Sequence, residues 1–105
     1  LTGPSDQNAI LENAVLDNSG WGIVLTRPPG LPLTGTLIAQ NRIHGNARAG
    51  IALMGSAVSG NLILQNNATG NSVAGYTLAP CYPFDLFDWF GVDNTWHANQ
   101  GNANF

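Results

Sequence analysis

Asparagine recurs at fixed distances from a large apolar residue, four times over, and this spacing limits the possible folds more than any other feature of the chain. The units begin at Asn8, Thr36, Asn61 and Asn94. They run 28, 25 and 33 residues, and the fourth is cut off at Phe105. The third residue of each is large and apolar (Ile10, Ile38, Ile63, Trp96). Asparagine follows at the sixth position (Asn13, Asn41, Asn66, Asn99) and at the eleventh (Asn18, Asn46, Asn71, Asn104). Three units then add Gly-x-x-Leu, at Gly22 to Leu25, Gly50 to Leu53 and Gly75 to Leu78.

Periods of this size belong to solenoids, whose units bury their apolar sides only by stacking on neighbours. The segments between turn signals hold four or five residues and lack a 3.6-residue apolar period, so short strands are expected rather than helices. Asn and Gly suit the corners because both tolerate the left-handed backbone. Alternation along the strands turns Ile10/Ile38/Ile63/Trp96, Val15/Ile43/Ala68, Ile23/Ile51/Tyr76 and Leu25/Leu53/Leu78 inward as columns. The fold class predicted is all-β: a solenoid of three to four coils with three short strands each. Equivalent asparagines then stack as side-chain amide ladders.

The pattern NxIxxNxxxxN…GIxL resembles the right-handed parallel β-helix repeats of the pectate-lyase-like superfamily. The ending GVDNTWHANQGN (Gly91 to Asn102) is similar to the last coil of many secreted bacterial members. The resemblance covers roughly residues 8 to 105 and implies a right-handed parallel β-helix in a secreted or cell-surface protein, with polysaccharide as a candidate partner. The superfamily includes enzymes and non-catalytic surface proteins alike, so the fold leaves the activity open. The chain is expected to be one domain, or the C-terminal fragment of a longer β-helix.

Unit lengths vary at one corner, where insertions span residues 26–35 and 79–93. Insertions stacked on one edge of a solenoid form its working face. The second carries Tyr82, Asp85, Asp88 and Trp89, an aromatic and acidic set suited to stacking on sugar rings; plugging an open coil end is the structural alternative. Asp85 and Asp88 lie three apart, so on a strand they point to opposite faces, and only a turn would converge them for acid/base work or calcium. His44 and His97 fall in outward columns. Ile43-His44-Gly45 shares a His-Gly pair with polygalacturonases, but the accompanying acids and the Arg-x-Lys motif are missing. No catalytic residue, metal or cofactor is therefore assigned.

The first strand of each unit is apolar on its outward side too, in the columns Ala9/Leu37/Leu62/Thr95 and Leu11/Ala39/Leu64/His97. Such a strand expects cover on both faces. Either the insertion at 79–93 folds over Leu11, Leu37, Leu62 and Leu64, or, as expected here, they mark a self-association face taken by a second copy or by a missing part of a longer chain. With net charge -3, no lysine and only Arg27, Arg42 and Arg48 as fixed cations, nucleic acid is a poor partner. No apolar run is long enough to span a bilayer. Cys81 is the single cysteine, so no intramolecular disulfide can form. The functional expectation is a non-catalytic, self-associating module with a structural or carbohydrate-contacting role. The alternatives are a fragment of a polysaccharide lyase, epimerase or hydrolase, and a fibre subunit assembling end to end.

Overall fold

The computed structural model describes residues 5–26, 32–73, 84–89, 91 and 93–104. All its regular elements are short strands, and every pairing between them is parallel. In chain order these are β1 (Ser5–Asp6), β2 (Ala9–Leu11), β3 (Ala14–Leu16), β4 (Ile23–Thr26), β5 (Leu33–Thr34), β6 (Leu37–Ala39) and β7 (Arg42–His44). They continue as β8 (Ile51–Met54), β9 (Leu62–Leu64), β10 (Asn67–Thr69), β11 (Leu86–Trp89), β12 (Thr95–His97) and β13 (Ala103–Asn104).

Three stacked sheets result, ordered β2-β6-β9-β12, β3-β7-β10 and β4-β8-β11-β13, so each pass of the chain lies on the one before it. A fourth, two-stranded sheet joins β1 to β5, and Leu33 also bridges Val58. The expectation of three strands per coil is corrected by this extra sheet. Its Leu33 and Val58 are fully buried, so the end of the first insertion belongs to the core and not to a surface loop.

The strands are short for a local reason. In the first pass the chain runs three residues of strand, one residue with positive φ, then asparagine, and repeats: Ala9–Leu11, Glu12 (φ 55°), Asn13, Ala14–Leu16, Asp17 (φ 55°), Asn18. Gln40 and Gln65 (φ 56° and 54°) precede Asn41 and Asn66 in the same way. Gly45, Gly60 and Gly70 precede Asn46, Asn61 and Asn71. The asparagines were expected to supply the left-handed corners, but the residue before each one does so. Gly22 and Gly50 recur in the repeat for space rather than for φ: a Cβ on Gly22 would meet the carbonyl of Gly50 and lie 2.7 Å from Ile43 Cγ2.

The core columns follow the predicted register over most of the fold. Ile10, Ile38, Ile63 and Trp96 pair across β2, β6, β9 and β12; Val15, Ile43 and Ala68 pair across β3, β7 and β10. Ile38, Ile43, Ile51, Leu53 and Ile63 have no exposed surface. At about 1.5–3 kcal/mol for each such side chain, this column burial is the main favourable contribution to the stack. The third Gly-x-x-Leu copy does not fill its predicted place. Leu86 pairs with Ile51 and Asp88 with Leu53, the positions expected for Tyr76 and Leu78, which lie outside the described residues.

Candidate functional site

The asparagines form three hydrogen-bonded ladders. In the middle one, the N–H and Nδ2–H of Asn13 both donate to Asn41 Oδ1 (2.8 and 3.1 Å). Asn41 repeats this toward Asn66 (3.0 and 2.9 Å), and Asn66 toward Asn99 (both 2.9 Å). The second Nδ2 proton of each interior member reaches back to a core carbonyl of the preceding pass, from Asn41 to Ile10 and from Asn66 to Ile38 (both 2.9 Å). Each buried amide therefore ties three passes together and leaves no polar group unmatched.

A second ladder runs Asn18, Asn46, Asn71. A third runs Thr36, Asn61, Asn94. Asn61 and Asn94 lie five residues before Asn66 and Asn99, a spacing present in the sequence but not assigned a ladder role. Thr36 takes an asparagine's place without its amide; its Oγ1 is the only buried side-chain N or O atom among the described residues with no partner. Asn104, expected in a ladder, lies instead in β13 opposite Phe87. The fourth pass shortens after Asn99, leaving a single bridge between Gln100 and Asn67 where a strand was expected.

Strand β11 and the residue before it carry Asp85, Asp88 and Trp89 of the predicted ligand set but direct them to different surroundings; Tyr82 lies outside the described residues. Asp85 is buried, and its Oδ1 accepts the N–H and Nδ2–H of Asn71 (2.7 and 3.0 Å) while Oδ2 accepts the N–H of Asn102 (3.1 Å). Asp88, on the inward side of β11, accepts from Gly91 N–H, from Asn94 Nδ2–H and from the indole Nε1–H of Trp96, each at 3.1 Å. The two carboxylates thus end two ladders. Asp85 accepts both the N–H and the Nδ2–H of Asn71, as a further ladder asparagine would, whereas Asp88 accepts the Nδ2–H of Asn94 alone, and neither carboxylate carries an amide to pass on.

The aromatic residues divide between core and cover. Trp96 closes the Ile10/Ile38/Ile63 column from the last pass, half-buried. Phe87 lies buried on the outer side of the β4-β8-β11 sheet with Ala49 and Ala52, packed against Trp21, Val24, Met54 and Phe84. The rings of Phe84 and Phe87 stack at 6.2 Å, and the Arg48 guanidinium lies 5.1 Å over the Trp21 ring. Trp89 follows at the rim of this cluster, 40% exposed.

The leucine columns are placed as predicted. Ala9, Leu37, Leu62 and Thr95 pair in one column and Leu11, Ala39, Leu64 and His97 in the other. Leu11 and Leu62 are 47% and 44% exposed, whereas Leu37 and Leu64 are half-buried. His44 stands outward between Leu16 and Thr69, its Nδ1 2.7 Å from the Thr69 carbonyl. Among the described residues no group of three His, Cys, Asp or Glu side chains is placed to hold a metal, and no helix is long and apolar enough to cross a membrane. Comparison of the chain with protein-family models, curated proteins and solved structures finds no match.

Proposed function

We propose that this chain is a right-handed parallel β-helix module, of the pectate-lyase-like kind, serving as a non-catalytic scaffold of a secreted or cell-surface protein. One observation carries this reading: the two closely spaced acids of the aromatic insertion, Asp85 and Asp88, spend their oxygens on Asn71, Asn102, Asn94, Trp96 and Gly91. Acid/base catalysis needs a carboxylate within reach of a substrate proton. Here both are turned into the fold.

Contact with carbohydrate falls to the outer rim of β11, where Trp89 offers an exposed ring beside Met54. Self-association falls to Leu11, Leu37, Leu62 and Leu64. Four strands about 4.8 Å apart and three residues of about 3.3 Å each span roughly 190 Å². A stable interface needs about 800 Å² per partner, so association through this face alone is weak and concentration-dependent.

Affinity electrophoresis in gels cast with neutral and acidic polysaccharides tests the reading, alongside an assay for newly formed reducing ends and unsaturated uronates. Retardation that Trp89→Ala abolishes, with no product formed, supports a carbohydrate-contacting scaffold. Product formation by the purified chain contradicts it.

A further inference from the structure

Asparagine is a thermolabile residue. The backbone nitrogen that follows it attacks Cγ, a succinimide ring closes as ammonia leaves, and water opens the ring to aspartate or isoaspartate; a small following residue hinders the attack least. The regular ladder steps tie that nitrogen down. The N–H after each ladder residue donates to the carbonyl of the ladder residue one pass below, as Ala47 does to Asn18, Asn67 to Asn41 and Gln100 to Asn66 (2.8–2.9 Å). Asn71 departs from this pattern. Ser72 after it has φ 58° and donates its N–H to Arg48 O at 2.9 Å, while the bond to Asn46 O passes to Val73 at 3.2 Å. Asn71 and Ser72 are half-buried and Val73 is exposed. Asn71 Nδ2 donates to Asp85 Oδ1 and to Ile43 O (both 3.0 Å), its N–H donates to Asp85 Oδ1 (2.7 Å), and Ser72 Oγ–H donates to Phe84 O (3.0 Å). Three of these four bonds lead to the two residues that open the 84–89 segment, so the hold on Asn71 depends on that segment being in place.

We propose that Asn71 is a spontaneous modification site: the docked 84–89 segment holds the reaction back, and the product keeps that segment from docking again. With Asp85 and Phe84 away, Ser72 N bonds to Asn71 Cγ, the Cγ–Nδ2 bond breaks, and the Ser72 amide proton leaves with the nitrogen as ammonia. Water then opens the succinimide. If aspartate results, a second carboxylate oxygen takes the place from which Asn71 Nδ2 now donates to Asp85 Oδ1 at 3.0 Å, setting like charge against like charge. It also faces Ile43 O with no proton to give. If isoaspartate results, the main chain gains a carbon between the ladder position and Ser72, and the register shifts. Asn94 also meets an acid, Asp88, but the β-branched Thr95 follows it with its N–H tied to Asn61 O at 2.8 Å. A transient opening of one segment thereby becomes permanent at Asn71.

The test ages the full chain at mildly alkaline pH, folded and in urea, and follows each asparagine by peptide mapping with mass spectrometry. Conversion of Asn71 is expected to be slower by about tenfold or more in the folded chain than in urea. Amide exchange is then measured on Asn71→Asp, which carries the product, and on Asn71→Ala, which removes the same donors without adding charge. In Asn71→Asp the amides of β11 should lose protection while those of β6, β7 and β9 keep it, and Asn71→Ala should leave β11 better protected than Asn71→Asp does. Equal rates of Asn71 conversion in the folded chain and in urea overturn the proposal. So does β11 as protected in Asn71→Asp as in the parent, or equally exposed in both variants. Loss of protection throughout the stack of Asn71→Asp, rather than at β11, overturns it as well.

Discussion

Asp85 stands over Asn71 as Asn71 stands over Asn46: its Oδ1 accepts the N–H and the Nδ2–H of the residue beneath, at 2.7 and 3.0 Å, where Asn71 Oδ1 accepts at 3.2 and 2.8 Å. A carboxylate has entered an amide ladder and ended it. Asp85→Asn keeps an acceptor for Asn71 but turns an NH2 group toward the Asn102 N–H, leaving a buried donor facing a donor. A loss of about 1–3 kcal/mol is expected in urea unfolding. Asp85→Ala removes all three acceptor contacts and costs more than Asp85→Asn.

Asn41 and Asn13 occupy the same column with opposite surroundings. Asn41 is buried and its amide joins Asn13, Asn66 and Ile10, so Asn41→Ala strands several buried polar groups at about 1–3 kcal/mol for each one left unpaired. Asn13 is exposed, and water can replace what Asn13→Ala removes. Chemical denaturation of the two variants should therefore separate them widely, with Asn13→Ala close to the parent.

Thr36 marks a gap in the third ladder. Its backbone N–H donates to Asn61 Oδ1 at 2.9 Å, but its Oγ1 has no partner. Thr36→Asn supplies the amide that Asn61 uses at the equivalent place to reach Leu33 O and Asn94 Oδ1. A gain of about 1 kcal/mol is expected, read as a higher midpoint with an unchanged urea slope.

Two glycines should respond differently to alanine. Gly60 has φ 63° and open space around its absent Cβ, so Gly60→Ala meets only the left-handed backbone cost of about 1–2 kcal/mol. At Gly22 a Cβ collides with the Gly50 carbonyl and crowds Ile43, which are backbone and core. Gly22→Ala should lower Tm well beyond Gly60→Ala, or prevent folding, as thermal scans of both would show.

Much of the fold was legible in the sequence because one strand–corner–asparagine step takes five residues, and five-residue spacing survives in every unit. That spacing by itself sets Ile10, Ile38, Ile63 and Trp96 in register. Asp85 and Asp88 were not legible as ladder ends. The strand that pairs with Ile51–Met54 follows a long insertion, and Gly75 to Leu78 imitates its motif one insertion too early. The partner β8 takes is the segment that can set Leu86 over Ile51 and an acceptor over Asn71, a three-dimensional requirement that spacing does not encode. Along the chain, the same two acids look like solvated loop residues. The leucine columns were readable from alternation alone, but which of them lies exposed depends on the neighbouring passes.

Hydrogen exchange by NMR, followed at the asparagine side-chain amides, tests the ladders most directly. The Nδ2 protons of Asn41, Asn46, Asn61 and Asn66 should exchange far more slowly than ordinary surface amides and in step with the backbone N–H groups of β6, β7, β9 and β10, while those of Asn13 and Asn18 exchange faster. Rapid, uniform exchange of all these side-chain amides would contradict the account, because the asparagines would then not be the buried hydrogen-bonded posts that hold the passes together.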